Sequence, residues 1–140
     1  MTIATILCVD DEPDVLAALQ RVFLDQDYRV IVAASGEEAL GILAEIEVEV
    51  IISDYKMPQM KGGELLSRAH RRDPDVIGIV LSGYIEADTV IDLIEADVIY
   101  TFVSKPWHDD ELRLTVKRAI DYRRMRQKLS RLEATLASTA

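Results

Sequence analysis

Residues 52–58 read ISDYKMP and place a lone aspartate, Asp54, directly after an apolar run, with a Met-Pro turn just beyond it. The run itself, VEVIIS at 48–53, is rich in β-branched residues and does not alternate with polar ones. This pattern is typical of a strand that is covered on both faces of a sheet. Asp54 is therefore predicted to stand at the end of a buried strand.

Four further apolar runs accompany this one, and segments with helical spacing separate all five. The other runs are TILCV at 5–9, RVIVAA at 29–34, VIGIVLS at 76–82 and IYTFVS at 99–104. Pro13 suits a first helical turn, and SGEE at 35–38 has the Ser-x-x-Glu pattern of a helix capping box. The sequence therefore predicts an α/β fold of the (βα)5 kind, a doubly wound parallel five-stranded sheet with helices on both faces.

Composition limits the possible functions. The chain has 140 residues, of which 49% are hydrophobic, enough for a single globular core. Its net charge of −9 divides into −15 for residues 1–112 and +6 for residues 113–140. The acidic body makes nucleic-acid binding unlikely, because phosphate contacts require clustered Lys and Arg. With no signal-peptide pattern, no apolar stretch of about 20 residues and a single cysteine, Cys8, we expect a soluble cytoplasmic protein that does not enter a membrane.

Polar residues end four of the five predicted strands. Because ligands of open parallel sheets bind outside the carboxyl ends of the strands, these residues form the candidate site. Any one of them alone could be a helix cap or a solvated loop residue. Three clustered carboxylates, however, repel one another unless a cation or a changed protonation state relieves the repulsion. The residues are Asp10, Asp11, Asp54, Ser82 and Lys105.

A hard divalent cation would relieve this repulsion. Mg²⁺ prefers oxygen ligands and is commonly held by one or two carboxylates together with a phosphate. A closed His/Cys cage is excluded, because the chain has two histidines and one cysteine. With Mg²⁺ present, the Asp54 carboxylate can attack phosphorus to give an acyl phosphate. Lys105 and the Ser82 hydroxyl would then contact the phosphoryl oxygens.

Four blocks of sequence carry a resemblance to a known family. In order and spacing they resemble the signature blocks of the receiver domain of two-component response regulators, over about residues 4–125. The resemblance implies a flavodoxin-like strand order of 2-1-3-4-5. The blocks are CVDDEPD at 8–14, ISDYKMP at 52–58, VLSGY at 80–84 and FVSKPW at 102–107.

The resemblance also implies a role for each site residue. Asp54 would accept a phosphoryl group from a sensor histidine kinase or phosphotransfer protein. Asp11 would bind Mg²⁺ directly, Asp10 largely through water, and the backbone carbonyl of Lys56 would be a further ligand beside Asp54. Lys105 would contact the phosphoryl group, with a cis peptide bond after it.

A switch is implied in the same way. Ser82 would move toward the phosphoryl group, and the ring of Phe102 would turn inward to fill the space that Ser82 leaves. The change would appear on the face formed by helix four, strand five and helix five. Two further positions, Lys56 and Tyr84, flank the path of the hydrolytic water in this family and would alter the rate of dephosphorylation.

The C-terminal segment continues the last helical pattern with spacings of 3, 4, 3 and 4, as in a coiled-coil seam. We predict a receiver domain at 1–122 and a helical extension or linker at 123–140. A homodimer through the 112–137 helix, a helix folded against its own chain and a basic contact with another partner all fit this pattern. The seam residues are Tyr122, Met125, Leu129, Leu132 and Leu136.

The segment IYTFVSKPWHDDELRLTVKRAI at 99–120 is similar to receivers attached to HD-GYP phosphodiesterase domains and to hydrogenase-type transcriptional regulators. An output domain is therefore expected on the C-terminal side of the full-length protein. The identity of the kinase and of the regulated process has no recognisable signature in this sequence.

Rival functions fit less well. A Mg²⁺-dependent phosphatase that forms an aspartyl phosphate would require an Asp-x-Asp pair after strand one and a cap insertion, which CVDDEP and the short connections lack. A dinucleotide-binding domain would require Gly-x-Gly-x-x-Gly there. A degenerate receiver that acts as an interaction module without phosphorylation has no need of the complete site. We therefore expect a signalling switch rather than an enzyme.

Overall fold

The structure is a computed structural model that describes residues 3–83 and 87–139, within which five strands alternate with five helices. Each predicted strand is confirmed, with bounds that differ by no more than two residues. The strands are β1 (Ala4–Val9), β2 (Tyr28–Ala33), β3 (Val50–Asp54), β4 (Ile77–Ser82) and β5 (Thr101–Ser104). The helices are α1 (Pro13–Val22), α2 (Gly36–Leu43), α3 (Gly62–Arg72), α4 (Ala87–Glu95) and α5 (Asp109–Thr139).

The strands form one parallel sheet in the order β2-β1-β3-β4-β5, as predicted. Strand β1 pairs on both sides, with Cys8 opposite Val32 on β2 and Ile52 on β3. Because all strands run in the same direction, their carboxyl ends lie at one edge of the sheet. The residues predicted for the site follow those ends.

Two apolar clusters cover the two faces of the sheet, which explains why the strands read as continuous apolar runs. On β1, Ile6 and Cys8 belong to the cluster beneath α1 and α5, whereas Leu7 and Val9 belong to the cluster beneath α2 and α3. All four side chains are fully buried. At roughly 25 cal/mol per Å² of apolar surface removed from water, these clusters dominate the stability of the fold.

Two helix starts follow the predicted local chemistry. Pro13 occupies the first position of α1, where its missing N–H would have no helical partner. At α2, the Ser35 Oγ accepts a hydrogen bond from the Glu38 N–H at 3.1 Å, and Glu38 Oε2 accepts one from the Ala34 N–H at 3.3 Å. The capping box is confirmed, although the glutamate reaches the N–H one residue before the cap.

The predicted extended C-terminal helix is present as α5, which runs without a break through residues 122 and 123. One residue of the predicted seam, Tyr122, packs on the receiver body instead of lying exposed. Tyr122 packs its ring against Tyr100, with ring centroids 5.3 Å apart, and joins the cluster beneath α1 and α5. The exposed apolar seam therefore begins at Met125.

Arg123, the next residue of α5, is held against the receiver body. Its side chain is only 3% exposed and forms ion pairs of 3.2 Å with both Glu47 and Asp73. Arg126 adds an ion pair of 3.4 Å to Asp97 and lies over the Tyr122 ring. Contacts with the body thus continue into the segment predicted as an extension, and the boundary at residue 122 stays a prediction. Among the residues described, no helix combines the length and the hydrophobicity that crossing a membrane requires.

Candidate functional site

The predicted site residues come together at the carboxyl edge of the sheet. Asp10 follows β1, Asp54 ends β3, and Lys105 follows β5. Carboxylate oxygens of Asp10, Asp11 and Asp54 all lie within 4.8 Å of one another. The Lys105 Nζ lies 2.9 Å from Asp10 Oδ2 and 3.4 Å from Asp54 Oδ1. The edge therefore holds three carboxylates and one ammonium group in contact.

Asp10 and Asp11 differ in their surroundings. Asp10 is fully buried, and its Oδ1 accepts a hydrogen bond from the Glu12 N–H at 2.9 Å while its Oδ2 accepts one from Lys105. Asp11 is exposed to solvent. Both oxygens of Asp10 thus have partners within the protein, which suits an outer role at a cation, and Asp11 is better placed to offer an oxygen directly.

Burial and neighbouring charges change the protonation equilibria of the site. Burial raises the pKa of Asp54, and the charge of Asp10 adds to the rise, against the lowering effect of the Lys105 ammonium and the Tyr55 N–H. Burial lowers the pKa of Lys105, but its hydrogen bond to Asp10 and the charges of Asp10 and Asp54 outweigh burial, so this pKa is raised. Lys105 therefore stays cationic, whereas the ionised form of Asp54 is less favourable than that of an exposed aspartate.

The donor set fits a hard divalent cation. Three carboxylates supply oxygen atoms close enough to share one ion, and no nitrogen or sulfur ligand is among them. This set suits Mg²⁺, which prefers oxygen ligands and keeps part of its water shell. A cation here would also favour the ionised form of Asp54.

The remaining predicted residues surround this cluster. Ser82 ends β4 and is buried, and its carbonyl accepts a hydrogen bond from the Lys105 N–H at 3.0 Å. The peptide bond between Lys105 and Pro106 is cis, as expected. Phe102 lies half-buried on the edge strand β5 and packs on the cluster beneath α2 and α3. Lys56 is exposed in the loop after β3, and Tyr84 lies outside the described residues.

Sequence reasoning missed the part played by Gly62 in shaping this loop. The Gly62 N–H donates to the Tyr55 carbonyl at 2.9 Å and closes the loop between β3 and α3. A Cβ atom at Gly62 would lie 2.3 Å from the backbone oxygen of Asp54, a distance that real Cβ contacts do not reach. Glycine is needed because the start of α3 approaches the backbone of Asp54 so closely. In the sequence, the Gly-Gly pair at 62–63 is the feature that could have indicated this close approach.

Comparison with known proteins relates this arrangement to others. The family model of the response regulator receiver domain matches residues 6–117. The hydrogenase transcriptional regulatory protein HoxA of Cupriavidus necator is 35% identical over 136 residues, which are 97% of this chain and 28% of HoxA. Sporulation initiation phosphotransferase F of Bacillus subtilis is 33% identical over 113 residues, 81% of this chain and 90% of that protein. This chain therefore spans little more than a quarter of HoxA but nearly all of the sporulation protein.

Among solved structures, the signal receiver domain of an HD domain-containing protein from Pseudomonas fluorescens Pf-5 superposes with a TM-score of 0.85. The two chains are 32% identical, and the match covers 91% of this chain and 94% of the other. Two of the kinds of protein expected from the sequence, hydrogenase regulators and HD-domain proteins, thus occur among the matches.

Proposed function

Since this chain belongs to the receiver domain family of two-component response regulators, we propose that it is a phosphorylation-dependent switch whose phosphoacceptor is Asp54. The observation that carries the proposal is the convergence of Asp10, Asp11 and Asp54 with Lys105 at one edge of the sheet. A histidine kinase or phosphotransfer protein would supply the phosphoryl group.

In the proposed reaction, an oxygen of the Asp54 carboxylate attacks the phosphorus of a phosphohistidine. A new P–O bond forms, the P–N bond breaks, and the imidazole leaves with its electron pair. Mg²⁺, when held by Asp11 and Asp54 with the Lys56 carbonyl and by Asp10 through water, supplies positive charge to the transferring group. Transfer then depends mainly on positioning and on charge around the phosphoryl oxygens.

Lys105 connects the reaction to the switch. In the unphosphorylated chain its ammonium lies closer to Asp10 than to Asp54. A phosphoryl group on Asp54 adds close to two negative charges and three strong acceptor oxygens. Lys105 and the hydroxyl of Ser82 are drawn to these oxygens, and Phe102, half-buried on β5, moves inward. The face formed by α4, β5 and α5 changes as a result.

We further propose that this chain regulates rather than catalyses in its own right. An output domain on the C-terminal side would receive the signal through α5, and a homodimer would form through residues 112–137. The cytoplasm is the expected location. What supports an attached output domain is that this chain corresponds to 28% of HoxA.

Intact mass spectrometry after incubation with Mg²⁺ and acetyl phosphate tests the proposal. The wild type should gain one phosphoryl group, and the gain should be lost with a chelator and in Asp54→Asn. The matched control is Asp25→Asn, which removes one exposed carboxylate on the loop before β2 and should be labelled like the wild type. Hydroxylamine should remove the label, because it cleaves an acyl phosphate. Equal labelling of Asp54→Asn would place the acceptor elsewhere, and no labelling with acetyl phosphate or with kinases would favour a degenerate interaction module.

A further inference from the structure

We propose that residues 125–136 of α5 pair with the same segment of a second copy of this chain as a parallel, in-register, two-stranded coiled coil. The proposal deepens the homodimer proposed above and rests on it. It adds the orientation of the two helices, the residues of the seam and the ion pairs that select this orientation.

Four large apolar side chains form an exposed stripe on this part of α5. They are spaced 4, 3 and 4 residues apart and lie within an arc of about 60° on a helix of 3.6 residues per turn. Single exposed apolar residues are common on protein surfaces, but an ordered stripe of four indicates a covering partner. The residues are Met125 (63% exposed), Leu129 (55%), Leu132 (53%) and Leu136 (69%).

The receiver body of the same copy does not cover the stripe, because Tyr122 and Arg123, which the body contacts, lie before it on the helix and all four stripe residues are more than half exposed. Arg123, buried between Glu47 and Asp73, projects about 150° away from the centre of the stripe. These contacts also fix the helix before any partner arrives, so that pairing costs less conformational entropy than for a free peptide.

Charges beside the stripe favour the parallel orientation. With Met125 and Leu132 at position d and Leu129 at position a, Lys128 is at g and Glu133 is at the next e. In a parallel pair each g residue faces the e residue of the following heptad in the other helix. Lys128 therefore meets Glu133 of the second copy, and symmetry makes this contact twice.

The preceding heptad repeats the pattern with the signs exchanged. Asp121 at g would face Arg126 of the second copy at e, again twice by symmetry. An antiparallel pair would instead bring e residues together and rely on Arg126 and Glu133. Arg126 is already engaged by Asp97 and the Tyr122 ring of its own chain, which weakens its pairs in both orientations, so the two Lys128–Glu133 pairs are what favours the parallel arrangement.

Disulfide trapping in the 140-residue chain tests the orientation. In a parallel pair the two copies of Leu132 face each other, so Leu132→Cys should form a covalent dimer under mild oxidation. Ala134→Cys, also exposed but on the far side of the helix, is the matched control and should crosslink at least tenfold more slowly. The native Cys8 is fully buried and does not interfere. Equal rates for the two variants would overturn the proposal, as would faster crosslinking between Leu129→Cys and Leu132→Cys chains in a mixture.

Charge exchange tests the ion pairs independently of any disulfide. Lys128→Glu should raise the dimer dissociation constant about tenfold in sedimentation equilibrium at low salt, and adding Glu133→Lys should restore it. Arg131→Glu makes the same charge change at an exposed position outside the seam and serves as the control. If the variant that combines Lys128→Glu with Glu133→Lys did not recover dimerisation, the parallel orientation of the helices would be overturned. A wild type that sediments as a monomer at all concentrations would overturn the homodimer itself, whereas phosphorylation of Asp54 is scored separately by mass.

Discussion

Replacing Asp54 by Asn should stabilise the Mg²⁺-free protein while abolishing phosphorylation. The Asp10 carboxylate, no more than 4.8 Å away, repels ionised Asp54 by about 3.5 kcal/mol at an effective dielectric constant of about 20. The Lys105 ammonium at 3.4 Å attracts it by about 5 kcal/mol on the same scale. The exposed Asp11 adds a further, solvent-screened repulsion, so the charges nearly cancel. Burial then decides whether ionised Asp54 raises or lowers the stability of the fold, and it lowers it.

The raised pKa of Asp54 also indicates that its ionised form lowers the stability of the folded protein. When the folded-state pKa of an acid lies above its unfolded value of about 3.9, the ionised group lowers stability at all pH values above that range. The neutral amide of Asn removes this cost. We expect Asp54→Asn to raise the free energy of unfolding by about 1 to 2 kcal/mol at pH 7 in a chelator, and the gain to shrink as pH falls through the raised folded-state pKa and to vanish below about 3.9.

Urea denaturation followed by the fluorescence of Trp107, the chain's single tryptophan, measures this difference. Added Mg²⁺ should reduce the gap, because the ion stabilises the wild type by mass action and binds the variant more weakly. Asp25→Asn is the control for losing one negative charge from a chain of net charge −9. If Asp54→Asn were less stable than the wild type in chelator, or gained no more than Asp25→Asn, the electrostatic account of the site would be refuted.

Three further predictions concern other parts of the molecule. Replacing Glu47 and Asp73 together by Gln and Asn leaves the buried Arg123 guanidinium without counter-charge and should cost about 3 kcal/mol of stability in urea denaturation. Arg123→Met, which leaves two carboxylates that water can reach, should cost about 1 kcal/mol or less, and the reverse ranking would contradict this reasoning. Because burial raises the pKa of Cys8 to about 12, its thiolate population at pH 8 is on the order of 1,000-fold below that of a free thiol. A thiol reagent should therefore label it only on unfolding, and rapid labelling of the native protein would show that β1 is accessible. Gly62→Ala forces a Cβ against backbone and should slow labelling by acetyl phosphate as well as lower the urea midpoint, so unchanged labelling would show that the loop adapts.

The strands and the site could be predicted from sequence because both follow from the backbone topology. A strand buried on both faces must be mainly apolar, and β1 and β3 are, apart from Thr5 on β1 and Ser53 and Asp54 at the end of β3. Because the strands are parallel, the residues that end or follow them lie at one edge of the sheet, and this placement does not depend on their side-chain conformations. The sequence therefore predicts that Asp10, Asp54 and Lys105 lie together at this edge.

The contacts of α5 could not be predicted in the same way. Helical spacing shows which residues share a face of a helix, but not which element covers that face. Tyr122 fits the spacing of the seam, yet it packs on Tyr100. Arg123 belongs to a basic stretch that is normally solvated, yet it is buried because Glu47, 76 residues earlier in the chain, and Asp73 meet it.

The difference between contacts with the receiver body and helical spacing alone also explains why the proposed seam starts at Met125. The side chains of Arg123 and Arg126 on α5 are placed by partners on the receiver body, and those partners are brought there by the loops that follow α2, α3 and α4. From Lys128 to Thr139 every residue of α5 is exposed, so periodicity alone governs which side chains are exposed together. The stripe from Met125 to Leu136 is thus the part of α5 for which sequence pattern and structure must agree, and it is the part that remains available to a second copy.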